Sequence, residues 1–213
     1  MKSERVDAWA ILEPMNRARG PHAGTSIQSR RGGLALPLLA LAFCAWSAQA
    51  DAVRFRVQPN ASEVSFTATS RLMNAAGRFH RLAGVVVADP KDLTTATITL
   101  SIEAASIDTG IGMRDNHLRS EDFFDVRRFP TITFESVRVE AAGGRAIVTG
   151  RLTLHGVTRE FAVPVDVGLT NLALAASGEL VIDRRDYGLT YQSVLSPIGN
   201  EVRVAFTIRA HTP

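Results

Sequence analysis

The sequence predicts an all-β fold: an eight-stranded antiparallel up-and-down β-barrel with one short helix or turn near residues 113–125. Three observations lead there. Apolar and polar residues alternate with period two in segment after segment, as in strands with one buried and one wetted face. Turn-forming residues separate these segments at the spacing of a meander. Only one stretch breaks the alternation in a helical manner. No helical layer is then available to cover an apolar sheet face, so the sheet must fold on itself as a sandwich or close as a barrel.

The first fifty residues read as an export signal and not as part of the fold. Arg30 and Arg31 precede an apolar run from Leu34 to Trp46, followed by Ala48 and Ala50 at small-residue cleavage positions. The run is too short to span a bilayer, which takes about 20 apolar residues. Cleavage after Ala50 and a periplasmic location are expected, with a general secretory signal fitting better than a twin-arginine one. The only cysteine, Cys44, lies inside the run, so residues 51–213 contain no disulfide, thiolate nucleophile or cysteine metal site. Removing the first fifty residues removes six of the 24 basic and three of the 21 acidic side chains, leaving the rest formally neutral. A neutral domain with arginines scattered on alternate strand positions argues against a nucleic-acid partner.

Strands are expected near 53–57, 62–70, 76–88, 94–105, 131–141, 145–155, 158–169 and 201–211, with a ninth candidate near 172–182. Val64, Phe66 and Ala68 alternate with Ser65, Thr67 and Thr69. Ile98, Leu100 and Ile102 do the same, as do Val163, Val165 and Val167, and Val202, Val204 and Phe206. Asp89-Pro90, Gly143-Gly144, His155-Gly156 and Thr170-Asn171 mark turns between them. In Ile132–Val139 the apolar phase shifts from even to odd positions, which predicts a β-bulge near Glu135-Ser136. Pro164 inside a strand predicts a strand end, an edge or a bulge. About eight long strands enclose room for a small ligand. The outward Thr, Arg and Glu are too polar for lipid, so stable membrane insertion is not expected.

The stretch from Ser106 to Ser136 interrupts this pattern. Met113–Ser120 reads as a short helix rich in Arg114, Asp115, His117 and Arg119. Phe123-Phe124 and Phe129-Pro130 follow before a strand resumes at Thr131. A polar turn followed by aromatics suits a cap over one end of a β-structure.

Ser106-Ile107-Asp108-Thr109, Arg114–Ser120, Asp122–Asp125, Phe129–Phe134, Gly150–Arg159, Arg185–Leu189 and Ile198–Val202, in that order, resemble the YceI-like family of bacterial polyisoprenoid-binding proteins. The match spans about residues 53–211. The resemblance implies a lipocalin-like barrel with an elongated apolar cavity, and a long amphiphile such as an isoprenoid chain as its ligand.

On that reading Phe66, Phe79, Phe134 and Phe206 line the cavity and Phe123 and Phe124 stand at its mouth. Arg114, His117 and Arg119 are placed to meet a polar or anionic head group. Arg114 and Asp186 suit loop-holding bonds as well as ligand contact. An isomerase- or hydrolase-like enzyme is the alternative, with His117 and Asp115, Glu121 or Asp122 as acid and base. No G-x-S-x-G elbow supports it. A metal site at the same cluster lacks the paired-histidine spacing of a zinc helix. No cofactor is expected, and a homodimer through an outer strand face stays open.

Overall fold

The computed structural model describes residues 52–70, 74–143, 145–192 and 198–213. The expected signal segment therefore lies outside the described residues, as does Gly144 of the expected Gly143-Gly144 turn. Eleven strands form one antiparallel sheet: β1 (Val53–Val57), β2 (Glu63–Ser70), β3 (Ala75–Phe79), β4 (Leu82–Asp89), β5 (Asp92–Glu103), β6 (Ile107–Asp108), β7 (Thr131–Ala142), β8 (Arg145–Leu154), β9 (Val157–Leu169), β10 (Ala173–Asp183) and β11 (Ile198–His211). One helix, α1 (Gly112–Arg119), stands where the helical break in the sequence predicted it.

These strands close into eight staves. β1 and β2 are halves of one stave, interrupted by a 3-10 turn at Pro59–Ala61. Both lie along β11, with Val57 opposite Ala210 and Glu63 opposite Thr207. β3 and β4 form the second stave and β5 and β6 the third, since Val53 pairs with Ala88, Val64 with Phe79, Leu82 with Ile102 and Phe79 with Ile107. β7 to β11 follow singly, and the β1–β11 pairing closes the ring. The expected number of staves is correct, but their membership differs. The segments at 53–57 and 62–70 count once, and the ninth candidate near 172–182 is the full stave β10.

Each interruption reverses the inward phase. Phe55 and Val57 are buried at odd positions and Val64 at an even one. Leu82, Val86 and Ala88 are buried at even positions in β4, whereas Ala75 and Phe79 face the interior from odd ones in β3. The interruptions at 58–62, 80–81 and 104–106 lie side by side and make one crease across three staves. Ser106 repairs the ladder there: its Oγ accepts from the Arg81 N–H at 3.1 Å and donates to the Glu103 carbonyl at 2.6 Å.

The predicted bulge is present. The β7–β8 register shifts between Ser136 and Arg138, leaving Val137 as the extra residue, half exposed at 49%. Pro164 sits inside β9 opposite Ile147 of β8. On its other side the ladder to β10 runs only from Leu169–Leu174 to Val165–Gly178. A residue without an N–H thus stands where that ladder stops. His155 and Gly156, both at positive φ (51° and 74°), form the two-residue β8–β9 hairpin, as a primed turn requires.

Phe55, with no exposed surface, packs with Val57, Val64, Leu82, Val86, Leu174 and Ile208 where the first stave meets β4, β10 and β11. Val139, Val148, Val163 and Val165 fill the opposite wall. Between them lies a cavity.

Candidate functional site

The site begins with the cap. Asp115, in the first turn of α1 and 6% exposed, accepts hydrogen bonds from the Thr109 backbone N–H at 2.9 Å and the Thr109 hydroxyl at 2.5 Å. Arg114 donates from Nε to Thr109 Oγ1 at 2.8 Å and from Nη2 to the Thr109 carbonyl at 3.0 Å. Arg119 reaches from the last turn to the carbonyls of Ala105 and Ile107 at 2.8 and 2.5 Å. Polar side chains thus lock the helix onto the strand end below it, which eight residues of helix with little apolar surface would not achieve alone.

The chain then folds back beneath α1. The Phe124 N–H donates to the Leu118 carbonyl and the Asp125 N–H to the Ser120 carbonyl, with Asp125 at φ 41°. This turn places Phe123 edge-on to His117, with ring centroids 5.1 Å apart, and 4.9 Å from Tyr191; His117 and Tyr191 also meet at 4.9 Å. Phe124 packs edge-on against Phe79 at 6.0 Å.

Below this aromatic lid is a cavity of about 670 Å³, within the range of small-molecule sites (roughly 300–1,000 Å³). Phe66, Phe79, Phe134 and Phe206 line its wall, and Phe123, Phe124, Arg114 and His117 line it at the α1 end. Phe161, Leu100, Val148 and Leu174 extend the apolar lining. Among the described residues, the polar members of the lining are Thr69, Arg114, His117, Arg184 and Tyr191, with no carboxylate among them. All five come from α1 or from chain ends beside it, so polarity is confined to one end of the cavity.

Asp186 needs correction. It is exposed and outside the cavity lining, and its backbone carbonyl accepts from Arg159 Nε at 3.2 Å. The 3-10 turn Arg184–Tyr187 carries it outward while sending Arg184 inward. Arg119 likewise spends its guanidinium on the cap carbonyls and does not line the cavity.

Thr69, Arg184 and Tyr191 are the polar lining residues that sequence reasoning missed. Arg184 had a signal, because it continues the inward even positions Leu180 and Ile182 of β10. It is 4% exposed and donates to the carbonyls of Gly199 (3.0 Å), Ile198 (3.3 Å) and Leu189, and to Asn200 Oδ1 at 3.5 Å. Burial pushes its pKa down, opposed by the nearby Asp183. Burial also raises the Tyr187 phenol above its usual range, with Asp186 adding to the effect.

The enzyme alternative finds little assembled geometry. His117 Nε2 is 3.3 Å from Asp122 Oδ2, with both side chains about half exposed, and Asp115 is committed to Thr109. No group of three or more His, Cys, Asp or Glu side chains suited to a metal occurs among the described residues.

Fold and site together define a class: a closed eight-stave, lipocalin-like barrel with an apolar cavity under a helical cap. The chain belongs to the YceI-like family, whose domain model matches residues 55–210. A UPF0312 protein of Pseudomonas aeruginosa is 33% identical over 138 residues, covering 62% of this chain and 71% of that protein. The crystal structure of Burkholderia cenocepacia BcnA matches with a TM-score of 0.67 and 27% identity, covering 72% of this chain and 98% of that one. A polyisoprenoid binding domain from Saccharophagus degradans, implicated in plant cell wall breakdown, matches with a TM-score of 0.63 at 22% identity, over 76% of this chain and 99% of that one. That last likeness is one of fold.

Proposed function

We propose that this protein is a non-enzymatic carrier that holds a lipophilic or amphipathic molecule of the polyisoprenoid kind in its barrel, tail inward and head group beneath α1. The observation that carries this reading is the cavity itself: among the described residues it is apolar along its length, polar only at the α1 end, and without a carboxylate in its lining. Each methylene moved from water into such a lining contributes about 0.8 kcal/mol, so a long tail binds without a strong polar anchor. At about 30 Å³ for each water-sized group, the cavity has room for roughly 20 heavy atoms. The lining charges, Arg114, Arg184 and (when protonated) His117, suit a neutral acceptor or an anion and disfavour a cation. The polyisoprenoid-binding character of the Saccharophagus relative supports the same tail chemistry. The apolar run with its small-residue boundary supports export, with the carrier working in the periplasm.

The test is to express the full chain in a bacterium with an outer membrane, isolate the exported protein, and weigh it by native mass spectrometry before and after solvent extraction. One long-chain amphiphile per chain is expected. A protein that emerges empty, and stays empty when offered geranylgeraniol, overturns the carrier reading.

A further inference from the structure

An eight-stave barrel is narrow enough for its own side chains either to fill it or to leave room for one small ligand. This one keeps its bore open despite large residues on most staves, and four inward-facing glycines explain how. Gly77 on β3, Gly84 on β4, Gly150 on β8 and Gly178 on β10 each lie under a bulky neighbour. A Cβ built on Gly77 would stand 2.6 Å from Phe66 Cζ, one on Gly84 2.6 Å from Leu100 Cδ2, and one on Gly178 2.7 Å from Phe206 Cζ; on Gly150 it would collide with the Phe134 ring. Three of these are direct cross-strand pairs: Phe66 with Gly77, Leu100 with Gly84, and Phe206 with Gly178. Phe134 leans over Gly150 from a neighbouring register position, because Gly150 pairs with Ser136. The four large side chains line the cavity and the four glycines do not. Each bulky group therefore lies flat along the wall, over the place where a Cβ is missing, instead of projecting across the lumen.

We propose that Gly77, Gly84, Gly150 and Gly178 set the bore of the cavity, and so the girth and length of the chain it accepts. The bore follows from geometry alone; its role in ligand selection rests on the carrier reading above. A methyl at any of the four meets both its bulky neighbour and a backbone carbonyl (Asp108 at 2.9 Å, Thr99 at 2.6 Å, Glu135 at 2.8 Å and Pro164 at 2.9 Å, respectively), so it turns the side chain inward only where the ladder gives by a few tenths of an ångström. Deleting the covering ring opens the space over the glycine.

Two variants and two readouts test this. Gly178→Ala directs the Phe206 ring into the lumen. Because its Cβ also comes within 2.9 Å of the Pro164 carbonyl, Phe206→Leu, which only removes atoms, serves as the companion that folds. Xenon enters apolar cavities without needing a natural ligand, so xenon NMR reports the bore directly. Native mass spectrometry with geraniol, farnesol and geranylgeraniol reports chain length. Gly178→Ala is expected to lose xenon occupancy and to weaken geranylgeraniol binding relative to geraniol by about tenfold, the equivalent of two methylenes left unburied. Phe206→Leu is expected to gain xenon occupancy and to shift preference toward the longest alcohol. Parental xenon occupancy in Phe206→Leu overturns the proposal, as does a folded Gly178→Ala with the parental chain-length profile. A parent that binds none of the alcohols sinks the carrier reading, and the xenon result still decides the bore.

Discussion

Replacing Arg184 by methionine separates two accounts of the same buried charge. The guanidinium is 4% exposed and has no carboxylate bonded to it among the described residues. It is held by the backbone carbonyls of Leu189 and of Ile198 and Gly199 at the start of β11, so its role is to fasten the turn after β10 to the barrel end. Hydrogen bonds from a charged donor are each worth about 1.5–3 kcal/mol. Two of the four, to Gly199 and Leu189, count in full, and the contacts at 3.3 and 3.5 Å add less. The gross loss is then about 3–6 kcal/mol. Relief of the buried charge returns part of it, leaving about 3 kcal/mol. For a domain of this size, one kcal/mol moves the melting temperature by about 2–4 °C, so Arg184→Met should melt about 6–12 °C lower. The assay is thermal unfolding followed by circular dichroism, with a urea midpoint as the second measure. Arg184→Lys should recover less than half, because an ammonium cannot match a planar fork spread over four acceptors. If Arg184→Met melts at or above the parent temperature, desolvation outweighs the carbonyl bonds and the fastening argument is wrong.

Two further outcomes follow from local bonding. Ser106→Ala leaves the Arg81 N–H and the Glu103 carbonyl without their partner in a site 7% exposed. It should cost about 1–3 kcal/mol in denaturant unfolding and speed hydrogen exchange at the Arg81 amide, and an unchanged exchange rate there would contradict the repair. Asp183 accepts from the Arg185 side chain at 2.6 Å and from its backbone N–H at 2.9 Å, which together hold its carboxyl at about 2 against an ordinary value of 3.8. A depressed carboxylate stabilises the fold above its unfolded pKa and loses that contribution as pH falls toward the folded one. The turn at Arg184–Tyr187 should therefore hold at pH 4 and loosen between 3.8 and about 2. A carbon NMR titration of Asp183 with its midpoint at 3.8 would refute this, and Arg185→Ala should move the midpoint back toward 3.8.

Much of the fold is legible because alternation is a direct readout of which face is buried. Ile98, Leu100 and Ile102, or Val163 and Val165, cannot exchange faces without exposing the core, so strand existence and inward positions follow from the residues. The phase shift at Ile132–Val139 likewise locates the bulge to within two residues. Phe66, Phe79, Phe134 and Phe206 reach the cavity wall for the same reason. Asp186 does not, because a 3-10 turn follows a different period from the strand before it. Alternation carries Arg184 inward at the next even position after Leu180 and Ile182 and ends there, so nothing in the residue types places Arg185 or Asp186. Tyr191 is found only through its packing with His117 and Phe123, residues far away in sequence.

The merging of β1 with β2 was invisible for a deeper reason. A phase reversal usually marks a new strand, because a continuous strand that changes phase turns its apolar side to water. Here the inserted residues rotate the chain so that both halves keep the same side inward, and the cost falls on the backbone ladder. Serine carries that cost at three places. Ser62 Oγ accepts from the Arg209 N–H at 2.9 Å and donates to its carbonyl at 3.2 Å across the Pro59–Ala61 interruption. Ser106 does the same for Arg81 and Glu103. Ser136 Oγ accepts from the Ile98 N–H at 2.8 Å beside the bulge, just past Thr99, the last β5 residue in register with β7. A hydroxyl both donates and accepts, so one side chain can replace a missing ladder bond in either direction. A serine beside a phase reversal therefore reads as a crease within one strand, whereas a reversal followed by glycine or asparagine reads as a turn between two. Applied to this sequence, that rule joins 53–57 to 62–70 across Ser62 and keeps Gly143 and His155-Gly156 as hairpins.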